Sequence, residues 1–207
     1  MYARSTTIVA DPSTVDQGVA FVRDAVWPAL REMDDCIGIS MLVDREAGRS
    51  IATTSWRSEE ALRASAATIL PLRERALELV GAGPPIVEEW EIASMRRAHH
   101  AGPTACVRVA RSRVVPGKVG QAIDFYTSTL LPGIERLEGF ASASLLVDRA
   151  SGRGVTSVAY DSRAAMERSR DQADYLRGIS TAEVDVEFLD VTEFELAVAH
   201  LHVPELV

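Results

Sequence analysis

Two pairs of carboxylates are the first residues in this 207-residue chain that could carry chemistry. They are Glu89 with Glu91 and, later in the chain, Glu193 with Glu195. Side chains two positions apart on a β-strand lie on one face, so each pair could transfer protons or hold a cation. Arg4 and Arg108 offer a structural interpretation, because cross-strand arginine–glutamate pairs would occupy the same carboxylates. We favour the pairing, and we retain Arg4 and Arg108 as candidate substrate-binding residues.

Two aromatic side chains form a second candidate set. Trp56 and Tyr160 each end a predicted strand and precede a predicted helix that starts at a serine. Large aromatic side chains at such positions commonly belong to the core. The alternative is that they line a pocket between helices and sheet. Trp56 and Tyr160 are therefore further candidate substrate-binding residues.

The four histidines are candidate metal ligands. His200 and His202 would point the same way on an extended segment, which is half of a metal site. His99 and His100 are adjacent, so their rings would point apart on a strand. We interpret all four as exposed linker and terminal residues, and we expect no metal.

Other catalytic and binding motifs are absent from the sequence. It contains no Cys-x-x-Cys, no phosphate-binding loop, no Gly-x-Gly-x-x-Gly and no Ser–His–Asp set. Asp44 with Gly48, and Asp148 with Gly152, could form anion sites together with the arginines beside them. The same spacing is typical of a tight β-turn, which we favour. The sequence therefore identifies no catalytic residue.

Composition excludes several classes of function. Thirty acidic residues against 22 basic ones give a net charge of −8, and no basic patch stands out, so we expect no nucleic-acid partner. No apolar run approaches the roughly 20 residues that a bilayer requires, and the N-terminal segment has no signal-peptide pattern. We expect no membrane partner and a cytoplasmic location. Cys36 and Cys106 lie in apolar strand-like segments and are expected to stay reduced.

A repeat with an offset of 104 residues organises all of these groups. Residues 33–49 match residues 137–153, and both segments contain Leu-Val-Asp-Arg-x-x-Gly-Arg. Glu89-Trp-Glu-Ile-Ala matches Glu193-Phe-Glu-Leu-Ala at the same offset, without a gap. We interpret the chain as a tandem duplication, with repeats at residues 1–97 and 104–207 and a linker between them.

Each repeat is predicted to have the element order β-α-β-β-α-β. Apolar residues recur at helical spacing over residues 14–31 and 118–136, and Pro28 and Pro132 are expected to end or kink these helices. Ser58 and Ser162 are predicted N-caps of the second helices. The strands are predicted near residues 3–9, 36–44, 50–56 and 86–93 and near residues 106–114, 140–148, 154–160 and 184–198.

Two such units predict an α+β fold made of two ferredoxin-like repeats. Each repeat would have a four-stranded antiparallel sheet with both helices on one face, which leaves the other face uncovered. We expect the two sheets to cover each other in one pseudo-symmetric barrel within the chain.

The Pro-x-x-Val-x-Gln helix start, the repeated hairpin and the closing Glu-aromatic-Glu strand together resemble a known family. It is the antibiotic-biosynthesis-monooxygenase-like branch of the dimeric α+β barrel superfamily, and the resemblance covers nearly the whole chain, once per copy. It implies a cofactor-independent monooxygenase or related enzyme that acts on a bulky aromatic or polyketide-like small molecule. The superfamily includes members without known activity, so a non-catalytic small-molecule-binding or assembly protein is the alternative.

Haem degradation is a further activity in this superfamily. Similar haem-degrading enzymes use an asparagine on the first strand, a tryptophan near the end of the third strand and a histidine in the second helix. Trp56 matches the tryptophan, but the chain has no asparagine, and residues 58–73 and 162–177 contain no histidine. We therefore expect no haem and no other cofactor.

Association is predicted from two phenylalanines at matched positions. Phe21 and Phe125 lie about 120° from the apolar stripe of the first helix of each copy on a helical wheel. Side chains of this size, repeated once per copy, indicate a surface that contacts another element or another chain. We expect a homodimer.

Overall fold

Residues 1–201 are described by the computed structural model, and among them eight β-strands form the sheet. The strands are β1 (Tyr2–Val9), β2 (Cys36–Asp44), β3 (Arg49–Trp56), β4 (Ile86–Arg97), β5 (Cys106–Arg113), β6 (Phe140–Asp148), β7 (Arg153–Tyr160) and β8 (Glu187–Leu201). Hydrogen bonding follows the order β1-β3-β2-β8-β5-β7-β6-β4 and closes into a barrel. The predicted α+β barrel fold is confirmed.

The helices follow the predicted order in the first half (residues 1–103) and in the second half (residues 104–207, described to residue 201). They are α1 (Val15–Phe21), α2 (Trp27–Arg31), α3 (Glu59–Ala64), α4 (Ala66–Val80), α5 (Val119–Phe125), α6 (Leu131–Ile134), α7 (Arg163–Arg168) and α8 (Arg170–Val184). Element bounds recur at the sequence offset: β1 begins at Tyr2 and β5 at Cys106, while α4 begins at Ala66 and α8 at Arg170.

The last strand of each half is longer at its C-terminal end than the hydropathy pattern predicts. The part of β4 beyond the predicted end belongs to a segment, from Glu91 to Arg97, that pairs antiparallel with β6. The early part of β8, from Glu187 to Glu195, pairs antiparallel with β5. Backbone contacts accordingly divide the chain into one compact unit of residues 1–90 with the end of β8, and a second of Glu91–Glu195. The division into repeats at 1–97 and 104–207 stays a prediction from the sequence.

A π-helical turn interrupts the predicted first helix of each half. It spans Val22–Val26 in the first half and Tyr126–Leu130 in the second, and a proline follows two residues later in both. Proline lacks the N–H of a regular helix and crowds the carbonyl four residues before it, so a wider turn accommodates the ring. The helix continues beyond the proline, and Pro28 and Pro132 therefore reshape these helices without ending them.

The second helices begin at the predicted caps. The Ser58 hydroxyl accepts from the Ala61 N–H at 3.1 Å, and the Ser162 hydroxyl accepts from the Ala165 N–H at 3.3 Å. A break at Ser65 separates α3 from α4, and the equivalent break in the second half lies at Ser169.

The hairpin turns have the local structure that the sequence indicates. Asp44 Oδ1 accepts from the backbone N–H groups of Glu46 and Ala47, and Asp148 Oδ1 does the same for Ala150 and Ser151. The glycine that closes each turn has a positive φ, 63° at position 48 and 73° at position 152. The turn interpretation is confirmed by these bonds.

Each half has its own hydrophobic core. In the first half Leu30, Ile39, Trp56 and Leu62 belong to one buried cluster. In the second half the cluster includes Tyr126, Phe140, Tyr160 and Met166. Both cysteines are free thiols. Among the described residues, no helix is both long enough and apolar enough to span a bilayer.

Candidate functional site

A cavity of about 80 Å³ lies between the helices and the sheet of the first half. Its wall is mostly apolar, with the residues Thr6, Ser50 and Thr54 on the strand side. Val22 and Val26 of the π-helical turn form part of the helix side. Two cations, Arg4 from β1 and Arg73 from α4, also line it. We call this space the first cavity.

Arg4 is held in place by bonds in several directions. Its Nε and Nη2 donate to Glu89 Oε1 at 3.0 and 2.8 Å. Nη1 donates to the Ser65 hydroxyl at 2.9 Å, and Nη2 also donates to the Leu62 carbonyl at 2.9 Å. This arginine therefore connects β1, β4 and the break between α3 and α4. The predicted cross-strand pair of Arg4 with Glu89 is present.

Arg73 differs from Arg4 because no described carboxylate forms an ion pair with it. Its Nε is buried and has no hydrogen-bond partner among the residues that the structure describes. Burial and, next in size, the positive charge of Arg4 lower the pKa of Arg73, while Glu74 and Glu89 act in the opposite direction. Arg73 thus adds a second guanidinium to the wall of the first cavity, which Arg4 also lines. The Glu89 carboxylate already accepts two bonds from Arg4.

The corresponding space in the second half is divided. Two cavities of about 60 and 50 Å³ share Tyr126, Leu130, Thr156, Ser180 and Phe188 in their walls. Tyr126 stands at the position equivalent to Val22, and its larger side chain lines both of these cavities. Its hydroxyl is buried and has no partner among the described groups, and burial raises the pKa of Tyr126.

Arg108 repeats the role of Arg4 with different partners. Its Nε and Nη2 donate to Glu193 Oε1 at 3.1 and 2.9 Å, and Nη2 donates to the Met166 carbonyl at 2.8 Å. Nη1 lies 3.4 Å from the Tyr160 hydroxyl, and the guanidinium carbon lies 5.5 Å from the centroid of that ring. Burial raises the pKa of Tyr160, an effect that the nearby Arg108 charge opposes. The predicted pair of Arg108 with Glu193 is present.

Arg177 is equivalent to Arg73 in sequence, and it too lines a cavity wall. Unlike Arg73, it forms an ion pair, with Asp174 three residues earlier on α8. Burial lowers the pKa of Arg177, and the Asp174 charge partly offsets this. Leu70 stands in the first half where Asp174 stands in the second, so Arg73 has no such partner.

The aromatic candidates occupy different surroundings. Trp56 is fully buried, and its indole N–H donates to the Thr54 hydroxyl at 3.1 Å. It lies in the core of the first half and not among the residues that line the first cavity. Tyr160 is equally buried but lines the 60 Å³ cavity of the second half. The structure therefore brings Arg108 and Tyr160 together at one cavity. Arg4 lies in the wall of the first cavity, whereas Trp56 lies in the core of the first half.

The second carboxylate of each pair has another environment. Glu91 pairs with Arg149 of the second hairpin turn at 2.6 and 2.8 Å, and these bonds lower the pKa of Glu91. Glu195 is paired in register with Cys106 on β5. Neither carboxylate lines any of the three cavities described above.

His99, His100 and His200 are not among the residues that line the three described cavities. His99 Nε2 is 2.7 Å from Asp161 Oδ1, and the ring of His200 stacks on Trp27 with 4.9 Å between centroids. His100 is exposed, and His202 lies outside the described residues. The described residues contain no group of three or more His, Cys, Asp or Glu side chains arranged to hold a metal ion.

Sequence reasoning missed the residues that distinguish the two halves: Arg73, Arg177 and Tyr126. A signal for the arginines was available, because Arg73 and Arg177 are 104 residues apart, as Arg4 and Arg108 are. Their position in a helix that faces the sheet could not be read from that spacing alone, since helix register and the width of the cavity depend on packing.

Close relatives of this chain are found in Mycobacterium tuberculosis. The chain is 55% identical over 207 residues to "Uncharacterized protein Rv2557", covering all of this chain and 92% of that protein. It is 52% identical over 208 residues to "Uncharacterized protein Rv2558", covering all of this chain and 88% of that protein. No family model matches the chain.

Solved structures with the same fold carry monooxygenase-related descriptions. One is a protein named as a candidate monooxygenase from Lactobacillus acidophilus, with a TM-score of 0.71, 9% identity, and 97% of this chain and 96% of that one covered. An anthrone oxidase-like protein gives a TM-score of 0.66 at 16% identity, with coverages of 99% and 94%. A haem-degrading enzyme from Listeria monocytogenes gives 0.53 at 7% identity, with coverages of 94% and 99%. At these identities the likeness shows the fold, and it confirms the resemblance to monooxygenase-like proteins at that level.

Proposed function

This chain belongs to the same family as Rv2557 and Rv2558 of Mycobacterium tuberculosis, and we propose that it binds a small aromatic molecule in the first cavity and oxidises it without a cofactor. The observation that carries the proposal is the first cavity itself, a mostly apolar space with two arginines in its wall. Apolar pockets with a few convergent polar groups are the usual form of small-molecule sites.

The arginines supply the chemistry that such an oxidation needs. An aromatic substrate that reacts directly with O₂ must first become an electron-rich anion, and a guanidinium beside an apolar wall stabilises that negative charge. For an anthrone-like substrate, the balanced reaction is R₂CH₂ + O₂ → R₂C=O + H₂O. One oxygen atom enters the product and the other leaves as water, and the substrate supplies all four electrons.

Cavity size limits the substrate. The first cavity, at about 80 Å³, is smaller than the apolar cavity of about 150 Å³ that accommodates benzene in an engineered protein. Even a single aromatic ring therefore requires the helix wall to move outward, and a substrate with several fused rings requires a larger movement. The π-helical turn forms part of that wall, and such turns are frequent at functional sites.

A second candidate function is binding without chemistry. None of the residues that line the three described cavities is Asp, Glu, His or Cys, so their walls offer no conventional general base. This observation favours a ligand-binding protein unless the substrate is acidic enough to ionise with only arginine stabilisation.

Anthrone oxidation tests the two candidates in one experiment. We expect the protein to accelerate O₂ consumption and quinone formation from anthrone, and Val22→Tyr to lower that rate at least tenfold by filling the first cavity. The second half accommodates tyrosine at the equivalent position, so the variant is expected to fold. Val9→Tyr adds the same ring at an exposed site and serves as the control.

Three outcomes are distinguishable. Oxidation that Val22→Tyr abolishes and Val9→Tyr preserves supports the enzyme. Saturable anthrone binding, measured by fluorescence and lost in Val22→Tyr, without faster oxidation supports the binding protein. Neither binding nor oxidation would overturn both candidates for this class of ligand.

A further inference from the structure

We propose that the first cavity selects ligands that carry a carboxylate. The ligand carboxylate would pair with Arg73, for which no described side chain of the protein provides an ion-pair partner. The inference rests on the proposed function in one respect, because it requires the first cavity to bind a small molecule. It adds the charge of the ligand and the residue that recognises it.

The first support is the unsatisfied guanidinium. Arg73 Nε is buried without a hydrogen-bond partner among the described residues, and buried polar atoms in native proteins are almost always paired. The nearby carboxylate of Glu89 is engaged twice by Arg4. A ligand carboxylate would satisfy the free donor, and arginine binds carboxylates through two parallel bonds.

The second support is the comparison between halves. Arg177 occupies the equivalent position in the second half and is paired with Asp174. The first half has Leu70, an exposed apolar residue, where that aspartate would stand. The two halves thus place an equivalent, partly buried arginine in two settings, one with an aspartate of the same helix as its partner and one without.

The third support is the electrostatic setting. Arg4 and Arg73 line the same small cavity, and the positive charge of Arg4 disfavours the charged form of Arg73. An anion between them relieves this repulsion, which a neutral ligand cannot do. Thr6 lines the same cavity, and its hydroxyl can donate to a second carboxylate oxygen.

Benzoate and benzamide are suitable probes, because they have nearly the same shape and differ in charge. We expect isothermal titration to give a Kd for benzoate at least tenfold lower than that for benzamide, with one benzoate site per chain. Arg73→Gln should raise the benzoate Kd about tenfold and leave the benzamide Kd unchanged. Arg177→Gln is the matched control and should change neither value.

A reciprocal exchange between the halves tests the mechanism directly. Leu70→Asp gives Arg73 the same partner, at the same spacing, that Arg177 has, and it should weaken benzoate binding as Arg73→Gln does. Asp174→Leu should free Arg177 and create a second, weaker benzoate site. Both positions are exposed, so these variants are expected to fold.

The outcomes separate this inference from the proposed function. Equal affinities for benzoate and benzamide, unchanged by Arg73→Gln, would overturn the charge selection and leave the cavity as a ligand site. Failure of both probes to bind would overturn the inference together with the proposed function. Loss of benzoate binding on Arg177→Gln, with Arg73→Gln unaffected, would place the anion in the second half and overturn the assignment.

Discussion

At the scale of single residues, the two buried arginines of the sheet are supported by glutamates that differ in exposure. The Glu89 side chain is 52% exposed, whereas that of Glu193 is 20% exposed. Glu193 also forms an ion pair with Arg170, with 2.9 Å between Glu193 Oε1 and Arg170 Nη2. Removing one partner of a buried ion pair leaves an uncompensated charge, which costs far more than the loss of an exposed pair.

We expect Glu193→Gln to lower the free energy of unfolding by about 3 kcal/mol and Glu89→Gln by about 1 kcal/mol. The difference follows from the exposure of the two carboxylates and from the second arginine that contacts Glu193. Urea denaturation at neutral pH measures both values, with Glu78→Gln on the exposed side of α4 as the control. Equal losses at positions 89 and 193 would contradict this account.

At the scale of elements, the hairpin turns place a glycine against the backbone of the first loop in each half. A Cβ at Gly48 would lie 2.0 Å from the Ala10 carbonyl oxygen, and one at Gly152 would lie 1.9 Å from that of Val114. Both positions also have positive φ angles, which disfavour any side chain. The turn is therefore fixed by two constraints, one local and one tertiary.

Gly48→Ala and Gly152→Ala are each expected to lower the free energy of unfolding by more than about 3 kcal/mol, because strain and a backbone clash add. Gly81→Ala isolates the strain: Gly81 has φ 63°, as Gly48 does, but a Cβ there meets nothing within 4 Å. We expect this control to cost about 1 kcal/mol. Thermal or urea unfolding measures the free energy of unfolding of the three variants. Similar losses in all three would show that the clash with the first-loop carbonyl does not contribute.

At the scale of the whole molecule, the closed strand order gives every strand two hydrogen-bonded neighbours. Association by pairing of strand edges is therefore not expected, and we expect the predicted dimer to use helices or loops. Phe21 and Phe125 are half-buried in the single chain, and Phe125 also lines the 50 Å³ cavity of the second half. The homodimer stays a prediction based on these two positions.

Light scattering tests the dimer. We expect a mass twice the 22.5 kDa of the chain at micromolar concentration, and a return to the single-chain mass when Phe21 and Phe125 are both replaced by serine. Circular dichroism of the double variant verifies that it is folded. A wild-type mass of 22.5 kDa would end the dimer hypothesis, and a dimeric double variant would show that other residues hold the copies together.

Local and repeated signals in the amino-acid sequence were sufficient to predict several features of this protein. The offset of 104 residues predicted the order of elements in both halves, and helix caps and hairpin turns followed from side chains that bond to nearby backbone. The pairing of Arg4 with Glu89 and of Arg108 with Glu193 also followed, since adjacent strands place opposite charges side by side. The barrel followed from the two repeats, because each four-stranded sheet would otherwise leave one face uncovered.

Which side chains border a cavity depends on packing between elements and could not be predicted from the sequence. The sequence treats Trp56 and Tyr160 as equivalents, yet Tyr160 lines one of the three described cavities and Trp56 lines none of them, because each cavity is the volume that many packed side chains leave unfilled. The pairing of the β4 end with β6 likewise depends on contacts distant in sequence. Arg73 became a candidate ligand-binding residue for the same reason: its missing partner is visible only when every neighbouring carboxylate has been placed.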